Sequence, residues 1–152
     1  MTDPRVVMHF GKLFQSACVL APDAVGDLAP VIELAKKNAA ANPKDHLALR
    51  TLGAVLCRAG QHEAAAERLG EAEPLRAKDQ PPYDWLFLAL AQQRLGQIER
   101  ARQQLAQADK WIQQVKEEKA KPNGSPQLRW NQRVTWEILH AEAQAALAAA
   151  KP

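Results

Sequence analysis

Features of membrane, secreted and metal-binding proteins are scarce in this 152-residue sequence. No apolar run approaches the roughly 18 residues of a membrane span, and the first residues lack the basic start and long apolar middle of a signal peptide. The two cysteines, Cys18 and Cys57, match neither a disulfide framework nor a metal-ligand spacing. These absences predict a cytoplasmic protein with no membrane association.

The sequence also has only a small excess of positive charge and few aromatic residues. The 20 Lys and Arg residues barely exceed the 17 Asp and Glu residues and are spread along the chain, so the formal charge of +3 does not predict a nucleic-acid partner. Aromatic residues make up 5% of the chain and apolar residues 47%, and alanine is abundant after residue 38. Because alanine favours helices whereas aromatic and β-branched residues favour strands, the composition predicts an all-α fold.

Catalytic and metal-binding motifs are missing as well. None of the four histidines lies at metal-ligand spacing from a second histidine or a cysteine; they are His9, His46, His62 and His140. The glycines occur singly, so the sequence has no glycine-rich phosphate loop, and the kinase signature motifs are absent. We therefore predict a protein that is not an enzyme and that binds no metal or cofactor.

The sequence does contain an internal repeat. The segment R-A-G-Q-H-E-A-A-A-E-R-L-G-E-A-E, which starts at Arg58, aligns with R-L-G-Q-I-E-R-A-R-Q-Q-L-A-Q-A-D, which starts at Arg94. The offset from Gly60 to Gly96 is 36 residues, within the range of stacked supersecondary units. Large apolar residues recur three or four apart before each glycine, and alanine and leucine form a narrow stripe after it. Because glycine adopts a left-handed helix cap readily, each unit is predicted to be two helices joined at its glycine.

The apolar run from Trp85 to Ala91 falls in the first helix of the second unit. It is therefore predicted to be helical rather than a buried strand, with Asp84 as the N-cap. At about 100° per residue, Leu86 and Leu90 point away from the partner helix. Those two leucines need either a neighbouring helix or a ligand to cover them.

The spacing of these residues resembles the tetratricopeptide repeat family. In that family a large residue, a leucine, a small residue and a glycine mark the first helix, and an alanine, a bulky residue and an alanine mark the second. The matching residues are Leu49, Leu52, Gly53, Leu56, Gly60, Ala65, Leu69 and Ala72 in one unit, and Trp85, Leu88, Ala89, Gly96, Ala101, Leu105 and Ala108 in the next. The segment Y-D-W-L-F-L-A-L-A also resembles the C-terminal repeat region of planctomycete signalling proteins.

The resemblance implies a single all-α domain built as a right-handed superhelical stack of antiparallel helix pairs. The chain is divided into a degenerate repeat over 4–45, repeats over 46–79 and 82–119, and a C-terminal capping helix over 127–149. The capping helix is needed because an open end of a repeat stack exposes apolar surface. Its predicted core-facing residues are Trp130, Val134, Ile138, Ala141 and Ala145.

The degenerate repeat is predicted to contain one helix between Val6 and Cys18 and a second helix capped by Asp27. A loop over 21–26 separates them, where the family has a tight turn.

The family geometry implies a concave groove lined by the first helix of each pair. The predicted groove residues are Arg50, Ala54, Cys57, Arg58, Tyr83, Leu86, Leu90, Gln93 and Arg94. Apolar residues mixed with arginines suit an extended or helical peptide that carries acidic groups. The lysine and asparagine clamp of the family's best-known peptide binders is absent. Two simpler explanations stay open: Arg58 and Arg94 are cations favoured at helix C-termini, and Leu86 and Leu90 pack under the terminal helix.

The sequence thus predicts a non-catalytic adaptor that binds a protein or peptide in this groove. The alternative is a self-associating structural or oligomerisation domain of a larger signalling assembly, in which the exposed leucines and the end helix contact a second copy. RNA binding ranks last, because helical-repeat RNA binders need long arrays with a basic face.

Overall fold

The computed structural model describes residues 26–119 and 128–150, and these residues form helices and turns with no strand among them. The all-α prediction is therefore confirmed for the described part of the chain. The helices are α1 (Ala29–Ala41), α2 (His46–Arg58), α3 (His62–Ala72), α4 (Tyr83–Arg94), α5 (Ile98–Lys119) and α6 (Trp130–Ala149), and a one-turn 3-10 helix (Glu73–Leu75) follows α3. None of the described helices is long and apolar enough to cross a bilayer.

Two helical hairpins, α2–α3 and α4–α5, contain the repeated segments, and each turns at the predicted glycine. Gly60 has φ +78° and Gly96 has φ +74°, both in the left-handed region that glycine adopts without a Cβ clash. After each glycine the next amide reaches back to a carbonyl five residues earlier, from Gln61 N to Leu56 O at 2.9 Å and from Gln97 N to Gln92 O at 2.8 Å. These bonds are those of a Schellman cap, so the repeat marks the same helix ending twice.

The first hairpin is closely packed because a glycine of α2 faces a leucine of α3. A Cβ placed on Gly53 would lie 2.5 Å from Leu69 Cγ and 3.3 Å from the carbonyl oxygen of Ala65. Leu69 and its stripe neighbours Ala65 and Ala72 are fully buried. The small residues of the repeat therefore allow the two helix backbones to approach closely.

Helix α4 lies at the centre of the fold, which explains its apolar run. It packs against α2, α3, α5 and α6, so it is covered from several sides. Nearly every residue from Tyr83 to Gln92 is buried, and Leu86 and Leu90 are among them. Trp85 is the exception: it is half-buried, and its ring N–H donates to Glu73 at 2.7 Å while the Arg76 guanidinium lies 4.9 Å from the ring centroid.

The prediction that Asp84 caps α4 was wrong. The N-cap residue is Pro82, and Asp84 lies in the first turn, where its side chain is fully buried and bonds the side chain of His46 on α2. The carboxylate still sits near the positive end of the helix, where a negative charge is favourable. It forms a contact between hairpins instead of capping its own helix.

Helix α6 buries a different face from the predicted one. The buried residues are Trp136, Leu139, Ala143 and Leu147, whereas Trp130, Val134, Ala141 and Ala145 are exposed and Ile138 is half-buried. Both sets form a stripe at helical spacing, so the helix has two apolar faces on opposite sides. Which of the two faces is buried is decided by contacts with α2, α4 and α5. The residues that make those contacts are distant from α6 in the sequence, so the sequence of α6 alone does not identify its buried face.

The predicted helix between Val6 and Cys18 lies outside the described residues, and so does the predicted loop over 21–26 except for its last residue, Gly26. The second helix of that unit is α1, which packs on α2. The Asp27 carboxylate accepts a hydrogen bond from the Ala29 amide at 2.9 Å, although the N-cap residue is Leu28.

Candidate functional site

The predicted groove residues come from α2 and α4, and we refer to these nine positions as the inner face. Arg58 and Gln93 are partly exposed and Arg94 is exposed. The other six are buried: Arg50, Ala54, Cys57, Tyr83, Leu86 and Leu90. Peptide binding by these residues stays a prediction.

The arginines of α2 contact the aromatic rings of α4. The Arg50 guanidinium carbon lies 5.2 Å from the centroid of the Tyr83 ring, and that of Arg58 lies 5.8 Å from the centroid of the Phe87 ring. Both distances are within the range of cation–π attraction. The two first helices are therefore joined at two points by an arginine from α2 and an aromatic ring from the first half of α4.

A buried polar cluster lies beside Arg50. His46 Nε2 is 3.0 Å from Asp84 Oδ2 and 3.2 Å from Asp84 Oδ1, and both side chains are buried. Burial lowers the pKa of Arg50 from its ordinary value, and the nearby carboxylate of Asp84 opposes this shift. A carboxylate with a histidine and an arginine close by satisfies the requirement that buried charges be paired.

The N-terminal half of α6 covers one end of the inner face. The Tyr83 hydroxyl donates a hydrogen bond to the backbone oxygen of Gln132 at 3.0 Å. The ring of Trp136 lies 6.4 Å from the Tyr83 ring and 5.3 Å from the Trp111 ring, centroid to centroid. Burial raises the pKa of the Tyr83 hydroxyl to about 12, so the hydroxyl stays a donor across the physiological range.

At the other end, Arg58 holds α6 through a two-pronged ion pair with Glu142. Arg58 Nη2 donates to Glu142 Oε2 at 2.7 Å, and Nη1 donates to Oε1. The Arg58 side chain is 6% exposed and that of Glu142 is 30% exposed. Such a fork-to-fork pair is among the strongest and most directional charge contacts in proteins, and more so when partly shielded from water.

A third set of contacts fixes α6 on α5. His140 Nε2 bonds the carboxylate of Asp109, and the His140 ring stacks on Trp136 with centroids 6.2 Å apart. Since Trp136 contacts Trp111 while the later His140 contacts the earlier Asp109, α6 runs antiparallel to α5. Helix α6 nevertheless packs mainly on α4, the first helix of the preceding hairpin, whereas α4 packs more on α3 than on α2, that is, on the second helix of the hairpin before it. It is therefore shifted toward the inner face.

Sequence reasoning did not find the residues that complete this site. Gln132, Trp136 and Glu142 lie on α6, and nothing in the repeat predicts their partners. The sequence feature that could have indicated the buried face is the helical spacing of Trp136, Leu139, Ala143 and Leu147, which is as regular as the spacing of the stripe that was predicted to face the core. Nothing in the sequence pattern predicts that His46 pairs with Asp84, because the two residues do not occupy equivalent positions in the repeat.

The arrangement is suited to holding a helix. The rings of Tyr83 and Trp111 can hold an indole between them, and the guanidinium of Arg58 can bind a carboxylate through two hydrogen bonds. Cys57 is a poor nucleophile, since burial raises the pKa of its thiol to about 11. Among the described residues, no group of three or more His, Cys, Asp or Glu side chains lies close enough to hold a metal ion.

The fold and the site thus define an all-helical protein whose paired helices present an inner face with a further helix seated on it. Comparison with family models, curated proteins and solved structures finds no match.

Proposed function

We propose that this protein is a non-catalytic interaction module of the tetratricopeptide type, which binds a helical segment of another protein on its inner face. The 36-residue repeat and the left-handed glycines at both hairpin turns support the family assignment. The even distribution of a small net charge favours a protein partner over nucleic acid or a membrane surface.

The seating of α6 on the inner face is the observation that supports this function most directly. The contacts made by α6 are those of a helix-in-groove complex: an indole anchor between rings, apolar residues three and four apart, and a carboxylate held by an arginine. A partner segment with the same chemistry would use the same contacts in place of α6.

The partner is therefore proposed to be an amphipathic helix with an aromatic anchor and an acidic side chain six residues, or about one and two-thirds turns, further along, the spacing of Trp136 and Glu142. The basic side chains Arg58 and Arg94 favour acidic partners by charge complementarity. Because α6 occupies the face, a partner binds only to the fraction of molecules in which α6 has left, and its apparent affinity falls by that fraction.

A fluorescent peptide of residues 128–150 tests whether the inner face accepts a helix in trans. Wild type should bind it weakly, because its own α6 competes. The full-length Trp136→Ala variant, whose α6 loses its indole anchor, should bind the peptide about tenfold more tightly or better, which corresponds to about 1.4 kcal/mol. Circular dichroism of both proteins checks that the hairpins remain folded.

A charge exchange makes the test specific to the arginine. The Trp136→Ala protein with Arg58 should prefer the natural peptide, whereas Trp136→Ala with Arg58→Glu should prefer a peptide carrying Glu142→Arg. A peptide should bind when its residue 142 and residue 58 of the protein carry opposite charges, and it should not bind when the two charges have the same sign. If neither peptide binds any variant with a weakened α6, or if binding ignores the charge at these two positions, the inner face is not a helix-binding site.

A further inference from the structure

The outward face of α6 carries an apolar stripe that the described structure leaves exposed except at Ile138, which is half-buried against the core. Its residues are Trp130, Val134, Ile138, Ala141 and Ala145, which we call the outer stripe. Trp130 is 77% exposed and Val134 is 39% exposed, and both alanines are exposed. At 3.6 residues per turn the outer stripe spans less than a quarter of the helix circumference and points directly away from the buried stripe.

A helix face that is exposed at the open side of a helix stack is expected to be polar, because that face meets water. Here the outer face carries Trp130, which is the most exposed of the four tryptophans of the chain. Contiguous apolar residues at helical spacing on an exposed surface are typical of an interaction site rather than of scattered surface residues.

We propose that the outer stripe is the contact between two copies of this chain, with their α6 helices packed antiparallel about a two-fold axis. The order of side-chain sizes along the stripe identifies the second copy as the occupant. The large residues Trp130, Val134 and Ile138 come first, and the small residues Ala141 and Ala145 follow. A surface that is large at one end and small at the other complements an inverted copy of itself.

The register follows from the same order. In the antiparallel arrangement Trp130 lies over Ala145 of the second copy and Val134 lies over Ala141 of the second copy. These two pairs share one midpoint, between residues 137 and 138, so a single two-fold axis satisfies both. Ile138 then lies beside the axis, near Ile138 of the second copy. A parallel arrangement would oppose tryptophan to tryptophan and alanine to alanine, leaving a gap at the small end.

The charged residues next to the stripe do not oppose this contact. Glu137 and Arg133 flank the stripe, and their side chains form an ion pair of 3.7 Å within the same helix. The flank therefore carries no net charge into the interface, and like-charge repulsion between the copies is reduced.

The size of the contact sets the expected strength. The stripe from Trp130 to Ala145 is about 22 Å long at 1.5 Å per residue, and one helix pair of that length buries less than the roughly 1,600 Å² of a standard interface. A dimer that dissociates on dilution is therefore the expected behaviour.

Dimerisation by the outer stripe is independent of helix binding by the inner face. The two surfaces lie on opposite sides of α6, so a dimer leaves the contacts of Trp136 and Glu142 unchanged. Failure of the peptide test above would not affect the dimer, and a monomeric protein would not affect peptide binding.

Sedimentation velocity over a wide range of concentration tests the dimer. Wild type should shift from the mass of one chain, 16.8 kDa, toward twice that mass as the concentration rises. The Val134→Glu variant should keep the mass of one chain at every concentration. Leu75→Glu is the matched control, because Leu75 is 41% exposed, about as much as Val134, and lies outside α6. This control should dimerise like wild type, and circular dichroism should show all three proteins equally helical.

Engineered cysteines test the orientation. Under mild oxidation at a concentration that favours the dimer, Ile138→Cys should form a disulfide-linked dimer by itself. Trp130→Cys should do so only when mixed with Ala145→Cys, because two copies of residue 130 lie far apart in the antiparallel pair. Wild type, processed in parallel, reports any cross-link through the native cysteines. A wild type that stays monomeric at the highest concentration, a Val134→Glu variant that still dimerises, or a Trp130→Cys variant that cross-links alone would each overturn the proposal.

Discussion

Gly53 is the residue that sets how closely α2 and α3 approach each other. Its Cα faces the fully buried side chain of Leu69, and the space a Cβ would need is already occupied by Leu69 Cγ at 2.5 Å. The γ-carbon of a buried leucine cannot move without moving its whole side chain. The position is thus fixed as glycine by packing, although its backbone is ordinary helix.

We predict that Gly53→Ala destabilises the protein by about 1–3 kcal/mol, the usual effect of overfilling a packed core. The gain in helix propensity from alanine offsets only part of this loss. Urea denaturation gives the free energy of unfolding. Gly70→Ala on α3 is the matched control: a Cβ at this position would have nothing within 4 Å, and the change should be neutral or stabilising by up to about 1 kcal/mol. Equal effects at both positions would show that the helices separate freely.

Cys57 makes the stability sensitive to alkaline pH. Burial raises the pKa of its thiol from 9.0 to about 11, so the folded protein keeps this proton where the unfolded chain has lost it. Stability is therefore unaffected below pH 9 and falls as the pH rises from 9 toward 11, by up to about 1.4 kcal/mol per pH unit. Urea denaturation at pH 8, 9, 10 and 11 measures the slope. Cys57→Ala should reduce the slope, most clearly between pH 9 and 10, because above pH 10 the raised pKa of the Tyr83 hydroxyl also contributes; an unchanged slope between pH 9 and 10 would assign the pH dependence to other groups.

At the scale of helices, the repeat allowed α2 to α5 to be predicted, because each hairpin is specified by local signals. Gly60 and Gly96 end the first helices, and small residues of the stripe define the contact with the second. The buried face of α6 was not predictable in this way. Its two stripes fit a helix equally well, and the choice depends on Tyr83, Arg58 and Trp111, which lie far away in the sequence.

The ion pair between Arg58 and Glu142 should account for much of the docking of α6. We predict that Glu142→Gln destabilises the protein by about 2–3 kcal/mol, because it removes a charge-assisted fork from a largely buried guanidinium. Glu137→Gln, on the same helix, is the control: its pair with Arg133 is exposed, so its loss should change stability by less than about 0.5 kcal/mol. Chemical denaturation followed by tryptophan fluorescence measures both. A Glu142→Gln variant as stable as the control would show that the aromatic contacts hold α6 alone.

At the scale of the whole molecule, α6 differs from the other helices in what holds it. Helices α2 and α4 are buried along almost their full length and pack against several neighbours. Helix α6 is buried on one stripe, packs mainly on α4, and depends on polar contacts in its first turn and in its second half. The proposed function requires this difference, since a partner can reach the inner face only if α6 leaves without the hairpins unfolding.

Native-state hydrogen exchange can distinguish the local departure of α6 from the unfolding of the hairpins. At a protein concentration low enough to keep single chains, the amides of α6 should exchange through local opening, at a lower free energy than the amides of α2 and α4, which should exchange only with global unfolding. Glu142→Gln should speed exchange in α6 well beyond its effect on α2 and α4, while Glu137→Gln should leave the pattern unchanged. Exchange of α6 at the same free energy as α2 and α4 would mean that α6 is part of the permanent core. The inner face would then be closed to a partner, and the outer stripe would be the candidate interaction surface of this helix.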